Sequence, residues 1–259
     1  MIANTVGFIG GGRIARIILG GWKRAGFLPA EVVVSETNAE ALEKLTAQFP
    51  TVRSTPDASW PLGQMECIFV ALHPPVLLDA LKPLVGHLRN DAVVVSLAPK
   101  VTVARLTEAL GGFARIARAI PNAPSLVGAG FNPVSFGPKL DETGREQVLR
   151  LLRPLGACPV VPEEHLEAFA VLTAMGPTYF WFQFQQLREV GRSFGIAPAE
   201  LDAALAAMVV GAAQTFFGSG LSAQDVMDLV PVKPMHDAEE AIRIAFKSRL
   251  SEIYQKLKV

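Results

Sequence analysis

The sequence predicts an α/β protein, with an N-terminal Rossmann dinucleotide-binding domain over residues 1–161 and an all-helical dimerisation and substrate domain over residues 162–259. Three observations carry this. An apolar segment runs into Gly10-Gly11-Gly12-Arg13-Ile14-Ala15, a G-x-G-x-x-A turn that opens at once into a helical pattern. Continuous apolar runs then alternate with helical periodicity, the mark of a parallel sheet covered on both faces. After residue 161 strand signals stop and only helical periodicity remains.

The first strand spans residues 5–9. Gly10 permits the tight turn that follows it, Gly12 lets the backbone approach a pyrophosphate, and Ala15 is small enough for close helix–strand packing. Ile14, Ile17, Ile18 and Trp22 share one face of the first helix, whose N-terminus aims unpaired N–H groups at an anion. Residues 32–35 are a β-branched run. Residues 39–49 form an amphipathic helix with Asn38 as N-cap. Residues 67–71 and 91–96 read as buried strands, 102–110 as a helix capped by Thr102, 114–119 as an alternating strand, and 132–136 as a shorter one. Residues 141–152 are a helix that Pro154 and Gly156 terminate.

In the second domain, residues 163–175 read as helical up to Gly176-Pro177. Residues 178–194 form a long helix, 198–217 another opening on Pro198, 222–229 a short one, and 237–258 the last. Tyr179, Phe180, Trp181, Phe182 and Phe184 leave the first long helix no polar face, so it is expected to be buried all round. It is either a core helix or one threaded into a second subunit. The second is favoured, because a domain this small cannot surround it. The Ala-rich stretch 203–217, interrupted by Gln214 and short of a membrane span, reads as a buried helix.

Of 259 residues, 50% are hydrophobic and 19% charged, and 24 basic residues balance 24 acidic ones. That excludes a basic nucleic-acid footprint and points to a subunit interface. Cys67 and Cys158 lie far apart and outside any metal-ligand spacing, so neither a metal site nor a disulfide framework is expected. The first strand begins almost at once, with no leader pattern before it, so the expected location is cytoplasmic, away from the membrane.

Three segments together resemble the pyrroline-5-carboxylate reductase family. They are residues 7–12 with Leu19-Gly20-Gly21, then Arg118-Ala119-Ile120-Pro121-Asn122-Ala123-Pro124 through Gly130, and then Leu172-Thr173-Ala174-Met175-Gly176-Pro177-Thr178-Tyr179. The resemblance implies a helical domain that interlocks two subunits and reduction of a cyclic imine to proline by hydride from NAD or NADP. Whether dimers assemble further stays open. It carries cofactor contacts onto Gly10, Gly12, Arg13 and Ile14 in the first turn. Others fall on Ala71, Leu72, His73 and Pro74 after the strand 67–71, where the family has Val-Lys-Pro, and on Asn122. Substrate contacts fall on Met175, Gly176, Pro177 and Lys233.

The chain also departs from the family. The family's Ser-Pro-Gly-Gly-Thr-Thr loop is here Val232-Lys233-Pro234-Met235-His236-Asp237, without its glycines and hydroxyls. His236 and Asp237 stand where the two threonines would be and are the candidate catalytic pair. Helix capping by Asp237 is the equally weighted alternative. Lys233 either pairs with a substrate carboxylate or is solvated. Glu36 lies 24 positions after Gly12, where an acid accepts hydrogen bonds from the adenosine ribose. It would repel the extra phosphate of NADP and so leans the cofactor towards NADH. Arg13 could instead receive that phosphate. His73, just past a strand end, stands at the ligand edge of the sheet.

The leading expectation is an NAD(P)H-dependent imine reductase. The first alternative is a nucleotide-binding paralogue without catalysis, motivated by the altered loop. A 3-hydroxyacid dehydrogenase-like enzyme ranks lower, because residues 163–175 contain no lysine to relay the alcohol proton.

Overall fold

The computed structural model describes residues 5–56 and 60–258. Strands and helices alternate as β1 (Thr5–Ile9), α1 (Arg13–Arg24), β2 (Glu31–Ser35), α2 (Ala39–Gln48), β3 (Arg53–Thr55), α3 (Trp60–Gly63), β4 (Cys67–Val70), α4 (Pro74–Leu81), β5 (Val93–Ser96), α5 (Val103–Ala109) and β6 (Ile116–Ala119). Then come β7 (Gly130–Phe131), β8 (Val134–Phe136), α6 (Glu142–Leu152), β9 (Gly156–Ala157) and α7 (Leu166–Phe169). Helices α8 (Thr178–Ser193), α9 (Pro198–Gly218), α10 (Ala223–Asp228) and α11 (His236–Leu257) complete the chain.

Seven strands form one sheet in the order β3-β2-β1-β4-β5-β6-β8. All neighbours are parallel except β6 and β8, which pair antiparallel through Ala117–Phe136 and Ala119–Val134. The connection between them, residues 120–133, is a 3₁₀ turn and the short β7 with no α-helix to carry the chain back along the sheet, so β8 returns antiparallel. The three-residue strand β3 has no apolar run to announce it; only pairing with β2 makes it a strand. Strand order reverses between β1 and β4, so the crevice at their carboxyl ends is where an open α/β sheet binds ligands.

The chain packs as two compact units, residues 1–175 with 253–259, and residues 176–252. In the first, both sheet faces are covered. On one, Phe8 and Phe69 stack at 5.1 Å and Trp22 tilts over both. The indole Nε1–H of Trp22 donates to the Leu151 carbonyl at 2.7 Å, so this fully buried ring leaves no polar group unsatisfied. On the other face, Ile68, Val70 and Val94 meet Leu77, Leu81 and Leu106. Gly20 and Gly21 let residues 123–127 lie against α1: a Cβ at Gly21 would stand 2.5 Å from the Ser125 carbonyl oxygen, and one at Gly20 2.4 Å from Leu126. The two expected caps are present: Asn38 accepts from the Ala41 N–H at 2.9 Å and Thr102 from Arg105 at 3.3 Å. Asp141, expected as the first residue of its helix, caps it instead, accepting from the Gly144 N–H at 2.8 Å.

Residues 163–175 are helical but not one helix. A 3₁₀ turn, the short α7 and a π turn over Ala170–Ala174 follow one another. Two helices expected to be buried are not buried by their own chain. Within the chain α8 buries Gly191 alone, and Phe182 is 68% exposed; α9 buries Leu201 alone. Neither is a core helix of its own chain. Sequence reports how apolar a helix is, while burial depends on what is packed around it. Helix α9 is long and apolar enough, by length and composition, to cross a membrane.

Candidate dinucleotide and substrate site

The glycine turn takes its shape from contacts at both ends. Gly10 has φ +99°, a region favourable to glycine, and its N–H donates to the Ser35 carbonyl at 2.8 Å. A Cβ there would lie 2.7 Å from the Ala71 carbonyl oxygen, so the turn from β1 and the end of β4 touch through Gly10. Leu72 closes over the same point, its Cδ2 2.9 Å from that Cβ position. Gly12 is the N-cap of α1 with no side-chain cap, and the space its Cβ would fill is open. The first N–H groups of α1, from Arg13 and Ile14 onward, therefore face open space with the positive end of the helix dipole behind them. This cradle fits a pyrophosphate.

Glu36 sits at the carboxyl end of β2, where the ribose position was expected. One carboxylate oxygen accepts from the Gly11 N–H at 2.8 Å and the other from the Asn38 N–H at 2.7 Å. Glu36 thus shapes the glycine turn as well as presenting lone pairs. Arg13 is exposed and has no carboxylate partner among the described residues. It also lies at the head of a shallow groove of about 650 Å³ along α1, lined by Arg16, Lys23, Phe49 and Leu126. That groove runs away from the turn and shares only Arg13 with the expected cofactor contacts.

At the mouth of β4, Ala71 donates its N–H to the Ile9 carbonyl at 2.8 Å. His73 is the N-cap of α4 through its backbone; its side chain makes no cap bond and is exposed, and Pro74 opens the helix. Asn122 is buried and already engaged. Its Nδ2 donates to the Thr173 carbonyl at 3.2 Å and its Oδ1 accepts from the Phe131 N–H at 3.1 Å. It clasps the segment after β6 to the π turn, which makes it a positioning residue whatever it contacts besides.

Met175 closes that π turn, with its N–H on the Ala170 carbonyl at 3.0 Å. Gly176 is buried and Pro177 leads into α8. The stretch expected to replace the family's loop is exposed throughout residues 232–237. Lys233 faces Asp228 at 3.5 Å. His236 is the first residue of α11, one position earlier than expected, so Asp237 stands inside the first turn rather than at its cap. There its charge favours the helix N-terminus without capping it.

Sequence reasoning missed the charge cluster beneath the β5 and β6 mouths. Arg118 is 1% exposed; its Nη1 donates to Glu163 at 2.9 Å and its Nη2 to Glu167 at 2.6 Å. Glu163 also accepts from the Val103 N–H at 2.7 Å and Glu167 from the Lys100 N–H at 3.0 Å. Arg118 was visible as part of a motif, but a charge inside an alternating strand does not announce partners 45 and 49 residues away. Cys67 is the small buried hydrophobe expected, and burial raises its thiol pKa far above the ordinary value.

Known proteins share this fold. Residues 5–100 match the family model for NADP oxidoreductase, coenzyme F420-dependent. The pyrroline-5-carboxylate reductase of Escherichia coli is 28% identical over 242 residues, covering 93% of this chain and 89% of that one. The solved pyrroline-5-carboxylate reductase of Coxiella burnetii superposes with a TM-score of 0.70 at 25% identity, covering 99% and 95%. The Plasmodium falciparum pyrroline carboxylate reductase, solved with NADP bound, gives a TM-score of 0.81 at 17% identity, covering 99% and 97%. The likeness in fold and in sequence extends through the helical region as well as the dinucleotide cradle, so this chain is similar to pyrroline-5-carboxylate reductases over nearly its whole length.

Proposed function

We propose that the protein is a soluble, cytoplasmic, NAD(P)H-dependent reductase of a cyclic imine of the pyrroline-5-carboxylate type, working as a homodimer. The observation that carries the reading is the uncapped start of α1, with open space at Gly12, set at the β1/β4 crevice. Likeness to pyrroline-5-carboxylate reductases along nearly the whole chain supports the reaction class. When bound, the nicotinamide supplies the hydride to the imine carbon. The residues of this chain bind and position. Gly10, Gly12 and the first N–H groups of α1 hold the pyrophosphate, with Arg13 and Ile14 beside it. Glu36 accepts from the ribose, and Ala71, Leu72, His73, Pro74 and Asn122 wall the reactive end. Met175, Gly176, Pro177 and Lys233 serve the substrate. His236 and Asp237 are the candidates for keeping the ring nitrogen protonated. A cyclic imine is basic enough to arrive already protonated, so most of the rate comes from positioning.

The boundary at residue 161 marks where strand-forming sequence ends. The exposed apolar side chains of α8 and α9 support the homodimer, because a monomer rarely leaves a large contiguous apolar patch in water.

The test is a steady-state assay of pyrroline-5-carboxylate reduction with NADH and NADPH in parallel. Turnover is expected with both, with the better specificity constant for NADH, and Glu36→Gln should narrow that preference. Tighter NADPH use by the parent would overturn the role of Glu36. Nucleotide binding without turnover would favour the non-catalytic reading, which the exposed, glycine-free stretch 232–237 motivates.

A further inference from the structure

We propose that Lys100 is the cation that receives the substrate's carboxylate; this rests on the imine-reductase reading above. Among the described residues Lys100 is the one non-glycine with a left-handed backbone, φ +71°. A side chain is disfavoured there and persists only where the surroundings impose it. Here they do. The Lys100 N–H is held by Glu167 Oε1 at 3.0 Å, and the same oxygen takes Arg118 Nη2 at 2.6 Å. Three residues on, the Val103 N–H is held by Glu163 Oε1 at 2.7 Å, which also takes Arg118 Nη1. Both ends of the turn after β5 are thus fastened to one buried arginine. Burying an arginine with two carboxylates is costly and is weak evidence for stability. What this cluster secures is the placement of residue 100.

That placement is at the ligand edge. Lys100 follows the carboxyl end of β5, and the strand order runs β2-β1-β4-β5. With Glu36 after β2 marking the adenosine side and the glycine turn after β1 marking the pyrophosphate, an extended dinucleotide directs its reactive end towards β4 and β5. Lys100 is exposed, and no carboxylate of the described residues lies within ion-pair distance of its ammonium. Lys233, the cation expected from sequence to meet the substrate, already has Asp228 as a partner. Lys100 therefore offers an unpaired charge at the ligand edge of the sheet itself.

The experiment compares pyrroline-5-carboxylate with 1-pyrroline, the same ring without the carboxylate, in the parent, Lys100→Met, Lys100→Arg and Lys100→Gly. Lys100→Met should raise KM for the carboxylated imine by roughly ten- to a hundredfold more than for 1-pyrroline, the worth of one charge-assisted hydrogen bond. Lys100→Arg should keep most of the discrimination. Lys100→Gly relieves the backbone, so it should raise the thermal midpoint while losing the discrimination, which separates substrate binding from misfolding. Proline should raise the thermal midpoint of the NADP-loaded parent more than that of NADP-loaded Lys100→Met. Equal effects on the two imines, or none, in a parent that reduces both would overturn the role of Lys100 and leave the reductase reading standing. A parent that reduces neither would overturn both.

Discussion

Residues 5–175 and residues 176–252 are about equally rich in apolar side chains to the eye, yet they use them differently. In the first region every residue of β4, β5 and β6 is buried, and Trp22, Phe8 and Phe69 form one closed aromatic cluster. In the second, α8, α9 and α10 bury Gly191 and Leu201 between them, and Phe194 and Phe217 are 74% and 86% exposed. The two contain the same chemistry at different stages of completion. A sheet with helices on both faces closes its own core. A few helices joined by short loops have too little volume to do so, and the proposed homodimer is what would remove their apolar faces from water.

The largest effects should appear where the first region is already closed. Arg118→Met leaves Glu163 and Glu167 without their cation and should cost about 3–5 kcal/mol, read as a lowered urea midpoint with an unchanged slope. A loss below ~1 kcal/mol would show that water already screens the cluster.

Tryptophan tests the contrast between regions directly. Trp22→Ala should cost about 3–5 kcal/mol at any protein concentration, because its cavity is internal. Trp181 is 50% exposed in the single chain. In a monomer, Trp181→Ala should change stability by no more than about 0.5 kcal/mol. In the proposed dimer it should weaken association by ~2 kcal/mol or more, and sedimentation should show dissociation at higher concentration than in the parent. A stable parent monomer at micromolar concentration would break the comparison outright.

Smaller effects come from surface charge and burial. Arg115 beside Asp141, together with the Gly144 N–H, holds the Asp141 carboxyl below the usual aspartate range. A depressed pKa in the folded state means stability that is present above the ordinary aspartate pKa, ~3.9, and lost as pH falls through the lower folded value. Asp141→Asn keeps the cap acceptor but not the charge, so its stability should fall below the parent's at neutral pH and converge with it in acid. Parallel curves would remove the charge from the account. Cys158, half-buried, has its thiol pushed up to about 11 by desolvation. Its alkylation should be slow at neutral pH and accelerate as pH rises towards that value.

Much of the site was legible because its signals are local. The glycine turn, the Asn38 and Thr102 caps and the helices from Thr178 onward follow from periodicity and short-range hydrogen bonding within a few residues. Glu36 was found by its distance from Gly12, although its bonds to Gly11 and Asn38 were not. The strand β3, the antiparallel β8 and the clasp of Asn122 on Thr173 were not legible, since each depends on a partner that only folding brings alongside.

Sequence alone established that this chain forms a dinucleotide-binding sheet followed by helices, because hydrophobic period, glycine geometry and cap chemistry act over a turn or two of backbone. Tertiary structure alone decided that Arg118 would be neutralised from 45 and 49 residues away, that Lys100 would be held at φ +71°, and that α8 and α9 would leave their apolar faces open. Those outcomes depend on long-range burial and pairing, and no local pattern encodes which distant side chain will arrive to complete them.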